Sequence, residues 1–155
     1  MRRRAVVSLT LSCLLAGCAH QGPDAMPGMA WSLHHAEGEG DKLAFGQPQS
    51  DNVLLMLTCQ PRSGDVRLSL SAAPEAKPVI DLASRGVRGR FAGETAPSVG
   101  GAALIEARTS PANPALTRFA RTGELTVMEN GRRTTLPAGE AKGDIGRFFE
   151  RCGGA

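Results

Sequence analysis

Two short segments, Asn52 to Cys59 and Val66 to Ser71, set the terms for any fold this chain adopts. In the second, Val66, Leu68 and Leu70 alternate with Arg67, Ser69 and Ser71, the period-two pattern of a strand with one buried and one wet face. In the first, Val53, Leu55, Leu57 and Cys59 form one face, and Leu54 and Met56 lie on the other. A strand apolar on both faces belongs in the interior of its sheet. Short runs of this kind recur from Trp31 onward, divided by Gly, Pro, Asn and Asp clusters, which is the all-β pattern.

Trp31 to His35 and Lys42 to Phe45 flank an acidic turn, Glu37-Gly38-Glu39-Gly40-Asp41, which is expected to be exposed. Further strands are expected over Val79 to Leu82, Val87 to Ala92 and Ala102 to Ala107. Asn130-Gly131 is a hairpin signal, because a type I′ turn needs two residues tolerant of positive φ. It pairs Glu129 with Arg132 and Leu125 with Leu136, so Leu125, Val127 and Leu136 share a face. Helices are few. Asn113-Pro114 starts a short one running through Arg121, with Pro at the first helical position. Ala141 to Cys152 forms the other, with Ile145, Phe148, Phe149 and Cys152 as its apolar stripe. The expected fold is mainly β: a small antiparallel sandwich or barrel closed by a C-terminal helix. With 155 residues there is room for one core, placed over 31–155.

Composition bounds the function. Aromatics are 4% of the chain, with one Trp and no Tyr, which argues against a surface that stacks bases or sugar rings. The formal charge of +3 is misleading. Arg2, Arg3 and Arg4 fall in a segment expected to be removed, leaving fifteen basic residues against fifteen acidic ones. A neutral mature chain gives no support to nucleic-acid binding driven by net charge.

Arg2 to Arg4 form a positive n-region, followed by an apolar run from Ala5 to Leu15. That run is short of the roughly 20 residues needed to cross a bilayer and fits a secretory signal. It ends in Leu15, Ala16, Gly17 and Cys18. These residues resemble the lipobox of bacterial lipoproteins, in which small residues precede an obligatory cysteine. The resemblance implies a diacylglycerol on the Cys18 thiol, cleavage of residues 1–17 and acylation of the new amine. The alternative is a plain signal peptide with an incidental cysteine. Each buried methylene contributes about 0.8 kcal/mol, so several acyl chains on one residue anchor it firmly. Ala19 stands where the family's inner-membrane retention signal would be Asp, which implies an outer-membrane location facing the periplasm. Residues 18–30, with Pro23, Pro27, Gly22 and Gly28, then read as a lipidated flexible tether.

Of four cysteines, Cys13 leaves with the signal and Cys18 is consumed by lipid. Cys59 and Cys152 remain, an even pair in an oxidising compartment, and a disulfide between them is expected. The alternatives are two buried thiols or a metal site, but no third or fourth ligand clusters in sequence near either cysteine.

Other chemistry is sparse. His20 lies in the tether; His34 and His35 are adjacent on a strand, so they point to opposite faces and cannot jointly chelate a metal. Glu37, Glu39 and Asp41 could wrap Ca²⁺, although the EF-hand pattern is absent and acidic turns also serve solubility. No G-x-S-x-G elbow occurs, and Gly100-Gly101 lacks the Lys and Ser/Thr of a phosphate loop. Arg85, Arg88 and Arg90 form a possible basic patch or, more simply, a solvated face. No cofactor other than the lipid is expected.

Gly123-Glu124-Leu125-Thr126-Val127, Leu136-Pro137 and the stripe Ile145, Phe148, Phe149 and Cys152 resemble the closing segment of invasion-associated locus B-type periplasmic proteins. There a G-x-L-x-V strand leads through a hairpin to a terminal helix, and no catalytic residue carries over. A second comparison is with membrane-bound lysozyme-inhibitor lipoproteins, small β-barrels with a lipobox and a disulfide. Their Ser-Gly loop is not recognisable here, although Ser63-Gly64 sits in an expected turn. The leading expectation is a non-enzymatic lipoprotein that binds another, unidentified envelope component. An inhibitor of a hydrolase such as lysozyme is the alternative, and an enzyme with dispersed residues is a third.

Overall fold

The computed structural model describes residues 26–96 and 102–153. The expected signal, the lipobox residues Leu15 to Cys18, His20 and the pair Gly100-Gly101 lie outside the described residues. Among the described residues, nine strands and two α-helices follow in chain order. The first seven strands are β1 (Ala30–Ala36), β2 (Gly40–Gly46), β3 (Val53–Cys59), β4 (Val66–Ala72), β5 (Val79–Ser84), β6 (Val87–Ala96) and β7 (Ala103–Thr109). Helix α1 (Pro114–Thr122) then precedes β8 (Glu124–Glu129) and β9 (Arg132–Pro137). A 3₁₀ turn over Gly139–Ala141 leads into α2 (Lys142–Gly153).

All pairings are antiparallel, in the order β1-β2-β3-β4-β7-β6-β5-β8-β9, and the sheet curls into a nearly closed barrel with α2 at the C-terminus. The expected fold class is the observed one. At the seam between the two end strands, the Trp31 indole N–H of β1 points at the Leu136 carbonyl of β9, 3.5 Å away. Strand β6 makes the corner. Its first part pairs with β5, from Val87↔Ser84 to Ala92↔Val79, and its last part pairs with β7, from Gly93↔Ala107 to Ala96↔Leu104. The sequence reading ended this strand at Ala92; it continues because it changes partner there, a common way for a strand to turn between two sheets. Gly93 permits the corner. A Cβ at that position would lie 2.5 Å from the Glu106 carbonyl oxygen, so no larger residue fits.

Local chemistry accounts for the helices. The Asn113 side chain accepts a hydrogen bond from the Ala115 N–H at 3.0 Å, and Pro114 opens α1 where its missing N–H costs nothing. The Asn130-Gly131 hairpin has φ of 48° and 79° at its two turn residues, with Glu129 opposite Arg132 and Leu125 opposite Leu136, as the turn type demands.

Leu55, Leu57, Val66, Leu68, Leu125, Val127 and Phe148 are buried in one cluster. The single Trp and all five Phe are buried as well, leaving no aromatic platform on the surface. Rings link the barrel to its helices: Trp31 lies 5.0 Å from Phe119 of α1, and Phe119 lies 5.8 Å from Phe149 of α2. Strand β1 starts at Ala30, one residue before Trp31, and Met29 packs against the core.

Candidate functional site

The end of the barrel under the C-terminal turn of α2 gathers the most chemically distinctive side chains. On the inner face, register places His35 opposite Asp41 and Asp41 opposite Cys59. Helix α2 brings Cys152 to Cys59, at a Cα separation of 5.8 Å and disulfide-bonding distance between the sulfurs. Arg151, one residue before Cys152, donates from Nε to Asp41 Oδ2 at 2.6 Å. The other carboxylate oxygen, Oδ1, lies 2.6 Å from His35 Nδ1, and an Arg151 terminal nitrogen lies 3.2 Å from that same ring nitrogen. The turn between β3 and β4 completes the junction: the Arg62 and Gly64 N–H groups donate to the Arg151 and Cys152 carbonyls at 2.7 and 3.1 Å. These carbonyls end a helix and have no partner within it.

Asp41 corrects the sequence reading. Glu37, Gly38 and Glu39 are exposed as expected, but Asp41 is 1% exposed. Its side chain shares the strand face of Leu43 and Phe45, both buried, so alternation carries it inward. Burial pushes its carboxyl up, but hydrogen bonds from Arg151 and His35 and their positive charge prevail and hold it below the ordinary aspartate value. The ionised carboxylate accepts from Arg151 and lies within hydrogen-bond distance of His35 Nδ1, an Asp–His pairing of the kind that orients the base of a nucleophilic triad. Here, however, the guanidinium neutralises the carboxylate, and the group acts as a clamp between the first hairpin and α2.

The clamp has a pH signature. A carboxyl depressed in the folded state stabilises the fold fully above its unfolded value of about 3.9, and that contribution is lost as pH falls through the lower folded value. Asp41→Asn is expected to cost about 1.5 to 3 kcal/mol at neutral pH, the worth of hydrogen bonds to a buried charged group. The difference from the native chain should shrink in acid below about pH 4. Urea unfolding of both proteins across pH 2 to 7 measures it, and a difference independent of pH would contradict the assignment.

The proposed calcium ligands do not converge. Glu39 pairs with Lys42, which holds its carboxyl below the ordinary value, while Asp41 is turned inward to Arg151. Among the described residues no group of three or more His, Cys, Asp or Glu side chains is placed to hold a metal. His34 and His35 point to opposite faces of the end strand β1, His34 beside Ser32 and His35 in the clamp. Of the arginine trio, Arg85 sits in the β5–β6 turn and pairs with Glu124, and Arg90 pairs with Asp81. Arg88 and Arg90 share the exposed face of β6, the arrangement of a solvated surface. Ser63-Gly64 lies just after the Pro61-Arg62 turn between β3 and β4, and Gly64 is engaged in holding the end of α2. Among the described residues no helix is long and apolar enough to cross a membrane.

Searches against protein-family models, curated proteins and solved structures find no match for this chain.

Proposed function

We propose that this chain is a lipid-anchored protein of the bacterial cell envelope, held to the outer membrane on its periplasmic side and acting as a non-enzymatic binding or accessory module. The observation that carries the reading is the run Leu15-Ala16-Gly17-Cys18 after a basic n-region and a short apolar segment. The pairing of Cys59 with Cys152 supports it, because structural disulfides persist in oxidising compartments such as the periplasm. The clamp residues support it too: His35, Asp41 and Arg151 are occupied with one another.

Substituting Cys18→Ala tests the anchor. The thiol is the attachment point, so the variant is expected to lose covalent lipid and to accumulate as uncleaved precursor or soluble protein. Membrane fractionation with mass measurement reads this directly, and unchanged acylated protein in the membrane would overturn the proposal. Incubating the protein with lysozymes tests the role, for which no inhibition is expected; tight inhibition would replace a general binding module with an inhibitor.

A further inference from the structure

The outer face of β4, β7 and β6 carries its charges in an order that does nothing for the stability of the sheet. Register sets Arg67 directly opposite Arg108 and, one row along the same face, Glu106 directly opposite Glu94. Like charges directly opposed across strands are destabilising, and alternating signs would have paired them. Arg108 is occupied by Asp65 at 2.5 Å. Among the described residues, Glu106 accepts a hydroxyl, from Ser69 at 3.3 Å. Among the described residues, Arg67, Glu94 and Glu106 have no ion-pair partner.

These side chains rim a groove of about 730 Å³. Its origin is the corner in β6: pairing with β7 stops at Gly93↔Ala107, and beyond that point β6 departs toward β5, opening a wedge between Ala92 and Arg108. The lining at the parting is small, Ala92, Gly93 and Ala107, so a ligand can approach the backbone closely. The volume lies within the range of about 300 to 1,000 Å³ typical of small-ligand sites.

We propose that this groove binds a short peptide with free ammonium and carboxylate groups. The carboxylate meets the guanidinium of Arg67, whose planar fork suits it, and ammonium groups sit between Glu94 and Glu106. A simple anion would face the two glutamates, and a simple cation would face the two arginines. Only a ligand carrying both signs satisfies both rows. The inference rests on the reading of the chain as a binding module and names its ligand class.

Isothermal titration of the full protein with the unblocked tripeptide Lys-Ala-Ala tests it. That probe offers two ammonium groups for the two glutamates and one carboxylate for Arg67. Saturable binding is expected. Acetylating both amines, or amidating the carboxyl, should weaken it about tenfold or more, as should Arg67→Ala and Glu106→Gln, each removing a charge-assisted contact. Arg88→Ala, away from the groove, should leave affinity unchanged, and thermal unfolding of each variant verifies that the fold persists. Absence of binding by the free tripeptide, equal binding by the blocked forms, or unchanged affinity in both groove variants would overturn the proposal. Such a failure is distinguishable from failure of the envelope reading, because lipid attachment at Cys18 is measured independently.

Discussion

Replacing Phe148 with alanine is expected to lower stability by about 3 to 5 kcal/mol, because the lost transfer energy of the ring adds to the cost of the cavity it leaves. Phe148 is fully buried on α2 and stacks edge-on against Phe149, with ring centroids 5.2 Å apart. Phe149 in turn contacts Phe119, which contacts Trp31, the residue beside the barrel seam. The ring therefore lies in a chain of aromatic packing that runs from the terminal helix to the first strand. Relaxation into the cavity is limited, because the clamp and the disulfide fix the C-terminal end of α2. Urea denaturation should show a lower midpoint with an unchanged slope. A loss below about 1 kcal/mol would mean that α2 is not an integral wall of the core, since truncating a buried Phe otherwise costs several times more.

How much of this was legible in the residues depended on whether the signal was local. The Asn130-Gly131 hairpin, the Asn113-Pro114 helix start and the stripe from Ile145 to Cys152 each sit within a single short segment of chain, and each element forms where its own residues direct it. The Arg85-Gly86 turn joins β5 to β6 with positive φ at both residues, yet it carried no signal, since arginine is not a residue that selects that conformation. The placement of β7 between β4 and β6 was not legible either, because strand order is set by long-range packing of faces that look alike in isolation. The β6 corner belongs to the same class, with Gly93 its only local trace. At the candidate site, Asp41 could have been recovered from alternation with Leu43 and Phe45, but its placement within a run of acidic and glycine residues suggested a turn. Its partner Arg151 stands 110 residues away and could be found only once Cys152 was taken as fixed beside Cys59. The groove between Arg67 and Glu94 depends on register across three strands, which no single segment specifies.

Substituting Cys152→Ser is expected to cost about 2 to 5 kcal/mol. Two physical terms contribute. The bond closes a loop between residues 93 apart in sequence, and removing it returns conformational freedom to the unfolded chain. The new hydroxyl would also be enclosed where the sulfur is fully buried, and a buried polar group without a partner is costly. The double variant Cys59→Ala with Cys152→Ala separates these, since it removes the cross-link without introducing a hydroxyl. It should recover part of the loss but not all of it. The fold itself should persist in both, because Asp41 still holds Arg151, and the Arg62 and Gly64 N–H groups still cap the last turn of α2. The three devices act on one helix end, so their effects should couple rather than add. Asp41→Asn combined with Cys152→Ser should therefore depart from the sum of the single effects by about 0.5 kcal/mol or more. Mass measurement of a tryptic digest with and without reductant confirms the bond. Two free thiols in protein taken from an oxidising compartment would refute it, and the clamp would then be the principal tie between α2 and the first hairpin.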